Sequence, residues 1–316
     1  MKRIISLIFA ILLLSPALAG CKQVGNPANG NSGDKISVVA TIFAPYDFVR
    51  EIVGDKADIT MLLPPGSESH SFEPTPQHII TIQDCDVFIY VGGESDAWVD
   101  GILQSMDTKN MKIITLMDCV TVVEEVVVEG MEEDDEEEEG IAYDEHVWTS
   151  PKNAKLIVQN ISDTLCEADE ANASAYKQNT SAYLGKLDEL DTAFKEVVEV
   201  AVRKTIVFGD RFPFRYFADA YGLDYFAAFP GCSTETEPSA ATIAFLIDKV
   251  KNENIPVVFR AELSNGKMAN TISEATGAKV LLLHACHNIS KDDFQNGASY
   301  LELMTQNVDA LKEALQ

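Results

Sequence analysis

The sequence predicts an α/β protein of two lobes, each a parallel sheet with flanking helices, joined by one long rigid helix. Three observations carry this expectation. Short apolar runs of strand length alternate with helix-length segments in both halves of the chain, the pattern of parallel sheets covered on both faces. Between the halves, Tyr176, Thr180, Tyr183, Leu187, Leu190, Phe194, Val197 and Ala201 recur at steps of three and four, one helix face held over many turns. The chain has 316 residues, 46% of them hydrophobic, which suits one or two globular domains.

Residues 1–20 read as an export signal. Lys2 and Arg3 precede the apolar stretch Ile4–Leu14, shorter than the roughly 20 residues of a membrane span. Leu18-Ala19-Gly20-Cys21 looks like a bacterial lipobox, which implies cleavage before Cys21 and lipidation of its thiol. Residues 21–35, rich in Gly, Asn and Ser, form a tether. The product is expected outside the cytoplasm, anchored to the cell membrane, and on the periplasmic side if an outer membrane exists.

An N-terminal lobe over 36–150 follows. Strands are expected at Ile36–Ala40, Ile59–Leu63, Val87–Val91 and Lys112–Leu116, and helices at Tyr46–Val53, Gln77–Gln83 and Ala97–Met106. Residues 124–139 interrupt it with eleven acidic and no basic side chains, expected to stay solvated as a mobile loop. Ser150-Pro151 opens a helical region, 151–203, whose long helix from Asn172 to Val202 would run about 45 Å. In the C-terminal lobe, 204–316, strands are expected at Thr205–Phe208, Asp224–Ala228, Val257–Arg260 and Lys279–Leu283. Helices are expected there at Phe214–Tyr221, Pro238–Lys251, Lys267–Thr276 and Tyr300–Leu315.

Acidic residues number 50 against 24 basic, for a formal net charge of -26. Such a field repels nucleic acid and attracts cations. Without a CxxC pair, a thiolate zinc knuckle is not expected. Cys232 and Cys286 both follow predicted strands of the second lobe, and a disulfide between them or two buried thiols are both open.

The five histidines carry the chemical signal. Ligands of open α/β sheets bind beyond the carboxyl ends of the strands. His70 lies in the Pro/Gly loop after the second strand, His146 beside a helix start, and His284 directly after the last strand. Three imidazoles meeting in an interlobe cleft would favour zinc over magnesium or calcium. His78 sits in a helix-like segment with no partner. His287 is open between ligand, supporting group and exposed residue.

Pro64-Pro65-Gly66-Ser67-Glu68-Ser69-His70-Ser71-Phe72-Glu73-Pro74-Thr75-Pro76 and Asp144-Glu145-His146-Val147-Trp148-Thr149-Ser150-Pro151-Lys152-Asn153-Ala154 resemble two ligand loops of the metal-binding receptors of bacterial zinc and manganese ABC transporters. Tyr176 through Leu190 resembles the start of their linking helix. The resemblance implies capture of a divalent transition metal, Zn2+ with Mn2+ as the alternative, and its delivery by a monomer to an ABC permease and its ATPase. It implies no enzyme activity, and that His70 and His146 are metal ligands. Where the family carries aspartate this chain has His284, to which the role is carried over. Where the family has a histidine or glutamate ahead of an aromatic pattern like Phe214-Arg215-Tyr216-Phe217, this chain has Arg211, which cannot ligate a cation. Its neighbour Asp210 is then the candidate fourth ligand, with a water as the alternative. A zinc hydrolase would need an open coordination site and a general base, and no HExxH sequence supplies them. A surface adhesin with a structural metal is a further alternative.

Overall fold

A computed structural model describes residues 35–68, 72–132, 142–233 and 238–316. The export signal, Cys21 and most of the tether lie outside the described residues. So do His70 and residues 133–139 of the acidic run.

The first sheet joins β1 (Ile36–Ala40), β2 (Ala57–Met61), β3 (Val87–Tyr90) and β4 (Lys112–Thr115) in the order β2-β1-β3-β4, all parallel. Its crossovers include α1 (Phe43–Val53), α2 (Pro76–Gln83) and α3 (Ala97–Ser105). Helix α2 starts at a capping box: Thr75 accepts the His78 amide while the His78 ring accepts the Thr75 amide. His78 is therefore a capping residue, stacked on Phe72 at 5.5 Å.

Two helices follow, α4 (Pro151–Ala168) and α5 (Ala173–Glu199). At 27 residues α5 is about 40 Å long, and its buried face includes Tyr176, Thr180, Tyr183, Leu187, Leu190 and Phe194.

The second sheet contains β5 (Thr205–Phe208), and the chain then enters the two-residue strand β6 (Arg211–Phe212) and α6 (Arg215–Tyr221). It continues through β7 (Asp224–Phe226), β8 (Phe229–Pro230), α7 (Ala240–Asn252), β9 (Val257–Arg260), α8 (Lys267–Thr276) and β10 (Lys279–Leu282). The order is β10-β9-β5-β7, again parallel, with β6 and β8 paired beside it. Helices α9 (Lys291–Gln295) and α10 (Tyr300–Leu315) close the chain.

One apolar cluster runs through both halves, from Val38, Phe48 and Ile89 through Tyr183 and Phe194 to Phe208, Phe259 and Tyr300. Helix α5 packs on α1, α4 and α10. The last helix also reaches into the first half: the Tyr300 amide donates to Asp47 Oδ2 at 2.7 Å, and the Tyr300 hydroxyl to the Trp148 carbonyl at 2.7 Å. Among the described residues no helix is long and apolar enough to cross a membrane.

The acidic run departs from expectation. Residues 124–132 pack against the fold rather than staying wholly solvated. Glu124 pairs with Tyr143 in an antiparallel bridge, Met131 is buried, and Glu132 accepts the Ser239 amide (2.7 Å) and the Thr242 hydroxyl (2.6 Å) at the start of α7. The physical reason is that Val128 and Met131 supply an apolar face, while the carboxylates find amide and hydroxyl donors instead of one another. Cys232 and Cys286 are unpaired thiols, as are Cys85, Cys119 and Cys166.

Candidate metal site

Three loops converge beyond the strand ends. The first, Pro64–Glu68, follows β2. Its Pro64 and Ser67 carbonyls accept from the Asn288 side chain at 2.9 and 2.7 Å, and the Gly66 amide donates to Ile289 at 2.8 Å. The second carries Asp144, Glu145 and His146 into α4. The third, His284–Asn288, follows β10. It is gripped by Glu262, whose two oxygens accept the Ala285 amide (2.7 Å) and the His287 amide (2.9 Å). Trp148 ties the second loop to the third, its indole N–H donating to the Ala285 carbonyl at 2.7 Å.

His146 is 1% exposed. Asp144 Oδ1 accepts its backbone amide at 2.8 Å and stands 3.3 Å from its Nδ1. Burial alone would lower the imidazole pKa. The adjacent Asp144 carboxylate, with Glu145 and Glu125 behind it, outweighs burial, and the net shift is upward. Gly231 closes against the ring: a methyl there would lie 3.1 Å from Nδ1 and Cε1. The His287 ring meets the His146 ring edge to face at 5.4 Å and the Trp148 ring at 5.1 Å.

His146, Gly231 and His287 line a cavity of about 80 Å³ together with Glu68, Asp210, Arg211, Glu262 and Ser264. That volume suits an ion with a few waters, where drug-sized solutes need roughly 300 Å³ or more. Asp210 Oδ1 accepts the Arg211 amide at 3.1 Å, and burial pushes its carboxyl pKa up against the opposing Ser264 hydroxyl and Arg211 charge. Arg211 reaches across to Glu68 at 3.3 Å.

The structure thus brings His146 and Asp210 to one cavity and adds His287, which the sequence had left open. His284 is buried but does not line the cavity. Its Nδ1 accepts the Cys286 amide at 3.0 Å, and Asn307 brackets its backbone through two 2.8 Å bonds. Cys286 between the two histidines has φ of 58°, a left-handed conformation costly for a side chain. Leu263, on the facing wall, has φ of 60°. Such strain tends to collect at functional sites. Among the described residues no three His, Cys, Asp or Glu side chains form a metal cage.

Comparison with known proteins agrees with this architecture. The chain is 33% identical over 315 residues to the high-affinity zinc uptake system protein ZnuA of Bacillus subtilis strain 168, covering 98% of this chain and 97% of that protein. It is 31% identical over 304 residues to the zinc-binding lipoprotein AdcA of Streptococcus pneumoniae R6, covering 96% of this chain and 60% of AdcA. The crystal structure of the Zn(II)-bound ZnuA-like domain of Streptococcus pneumoniae AdcA superimposes with a TM-score of 0.74 at 31% identity, over 89% of this chain and 99% of that one. Residues 38–314 match the family model described as ZnuA, zinc-uptake complex component A, periplasmic. Two parallel sheets on a helical spine, with histidine-bearing loops meeting beyond their strand ends, are thus the scaffold of an uptake component rather than an enzyme, and the chain belongs to the ZnuA family of zinc-uptake components.

Proposed function

We propose that the protein captures zinc in the cavity between its lobes and delivers it to an ABC permease. The observation that carries this reading is the buried His146 ring, fixed through Nδ1 by Asp144 and faced by His287 within a cavity of ionic size. A carboxylate on Nδ1 orients the imidazole and raises its basicity, the usual outer support of a metal-bound histidine. Nε2 of His146 is then the ligating nitrogen. His287 supplies a second imidazole, and His70, two positions after the cavity-lining Glu68 in the sequence, is the candidate for a third. Asp210, or a water, completes a tetrahedral set. His284 acts by shaping the turn that presents His287.

Oxygen donors on the same wall would favour manganese. Glu262, however, spends both oxygens on backbone amides, and Glu68 is engaged by Arg211. The imidazoles therefore decide for zinc. The lipid anchor at Cys21 keeps the receptor at the membrane surface, and the shared core limits release to loop and small lobe shifts.

Calorimetric titration of the chelator-stripped protein with zinc and, separately, manganese tests the proposal. It predicts one tight zinc event per chain and weaker manganese binding. No saturable binding of either ion would refute it.

A further inference from the structure

Residues 123–132, Val123 and the start of the acidic run, are bonded on one side to the loop before His146 and on the other to the second lobe. At one end the Val123 carbonyl accepts the Asp144 amide at 3.0 Å, and the Glu125 amide donates to Ala142 at 2.9 Å. The Val123 amide donates to the Tyr216 hydroxyl at 3.3 Å, and that hydroxyl in turn donates to the Asp144 carbonyl at 2.7 Å. The half-buried Glu125 crosses to the second lobe, where its Oε1 accepts the Cys232 amide at 3.0 Å. Cys232 follows Gly231, whose Cα closes on the His146 ring and on the Phe212 carbonyl; a methyl group would lie 2.9 Å from that oxygen. At the other end Glu132 is fixed to Ser239 and Thr242, its amide donates to Ala228 at 2.9 Å, and Gly130 lies on the Phe245 ring, where any side chain would collide.

We infer that this segment is a strap that presses the second lobe onto the metal-binding imidazole, with Glu125 as the positioning residue that holds Gly231 against His146. The inference rests on the zinc reading proposed above. The carboxylate acts by geometry: it accepts one amide hydrogen bond, and that bond fixes the turn that forms one wall of the imidazole slot. Removing it frees the turn, and the ring loses the wall that Gly231 forms beside Nδ1 and Cε1. Because coupling between two equilibria is reciprocal, metal bound at His146 also tightens the strap.

The test measures zinc affinity by chelator competition in the wild-type protein, Glu125→Ala, Glu125→Gln, His146→Ala and the double variant Glu125→Ala/His146→Ala. Hydrogen exchange of the wild type is followed with and without zinc. Glu125→Ala is expected to weaken zinc binding about 10-fold, the lower end for loss of an outer support of a metal ligand. Glu125→Gln, which keeps an acceptor oxygen, recovers most of that loss. In the His146→Ala background Glu125→Ala adds nothing further, and in the wild type zinc slows exchange of the Glu125 and Cys232 amides. Unchanged affinity in Glu125→Ala, an equal loss in both Glu125 variants, additive losses in the double variant, or zinc-insensitive exchange at the strap would each overturn the inference. Exchange in the wild type keeps the test decisive if Glu125→Ala does not fold. Absence of zinc binding by the wild type would instead refute the underlying zinc reading.

Discussion

At the residue scale, Asp144 and His146 act as one unit. The carboxylate holds the imidazole pKa above its ordinary value. With His146 as the proposed zinc ligand, a proton should compete with the metal at higher pH than on a free imidazole near 6.5, and zinc affinity should begin to fall early as pH drops. Asp144→Asn removes the chief upward influence on the ring. It should shift this fall to lower pH and weaken zinc binding about 10- to 100-fold at neutral pH, as measured by competition titration across pH 5 to 8. The place of His146 on the cavity was legible in the sequence because the loop that carries it is long and distinctive. Which of His284 and His287 lines the cavity was not. Both follow the same strand, and the left-handed turn at Cys286 decides which imidazole meets the cavity. Spacing along a strand end carries no signal for such a reversal.

At the element scale, strands and helices of both sheets fall within a few residues of where apolar periodicity and glycine or proline punctuation put them. The long helix was visible because one face stays apolar over its length. The strand pair β6 and β8 was invisible, since two-residue strands have no period to read. The packing of the acidic strap was also hidden. Its bonds join carboxylates to amides more than a hundred positions away, as Glu125 to Cys232, and composition alone reads such a run as solvated. Helix caps are more local and can be tested directly. Ser299 forms a capping box with Glu302 at the head of α10, whose Asn307 brackets His284. Ser299→Ala should cost about 1 kcal/mol of stability, read from the denaturant midpoint.

At the scale of the whole molecule, a single apolar cluster spans both sheets and the spine between them. The cavity is consequently built on a rigid frame, and its loops are tied to one another by Asn288, Trp148 and Glu262. Binding an ion to such a frame should stabilise it by mass action, by about 2.7 kcal/mol at a free zinc concentration one hundred times Kd. Differential scanning calorimetry should therefore find Tm several degrees higher with zinc than after chelator treatment. An unchanged Tm at saturating zinc would mean that the metal engages surface groups rather than the interlobe cavity. The field of a -26 chain draws cations towards the molecule but does not choose among them.

If His146 and His287 belong to one zinc site joining the two lobes, zinc titration of the stripped wild-type protein beside His146→Ala, His287→Ala and His284→Ala will show it. The tight event should be lost in the first two variants and retained, at most several-fold weakened, in the third. Retention of tight binding in His287→Ala together with its loss in His284→Ala would contradict this and return the ligand role to His284.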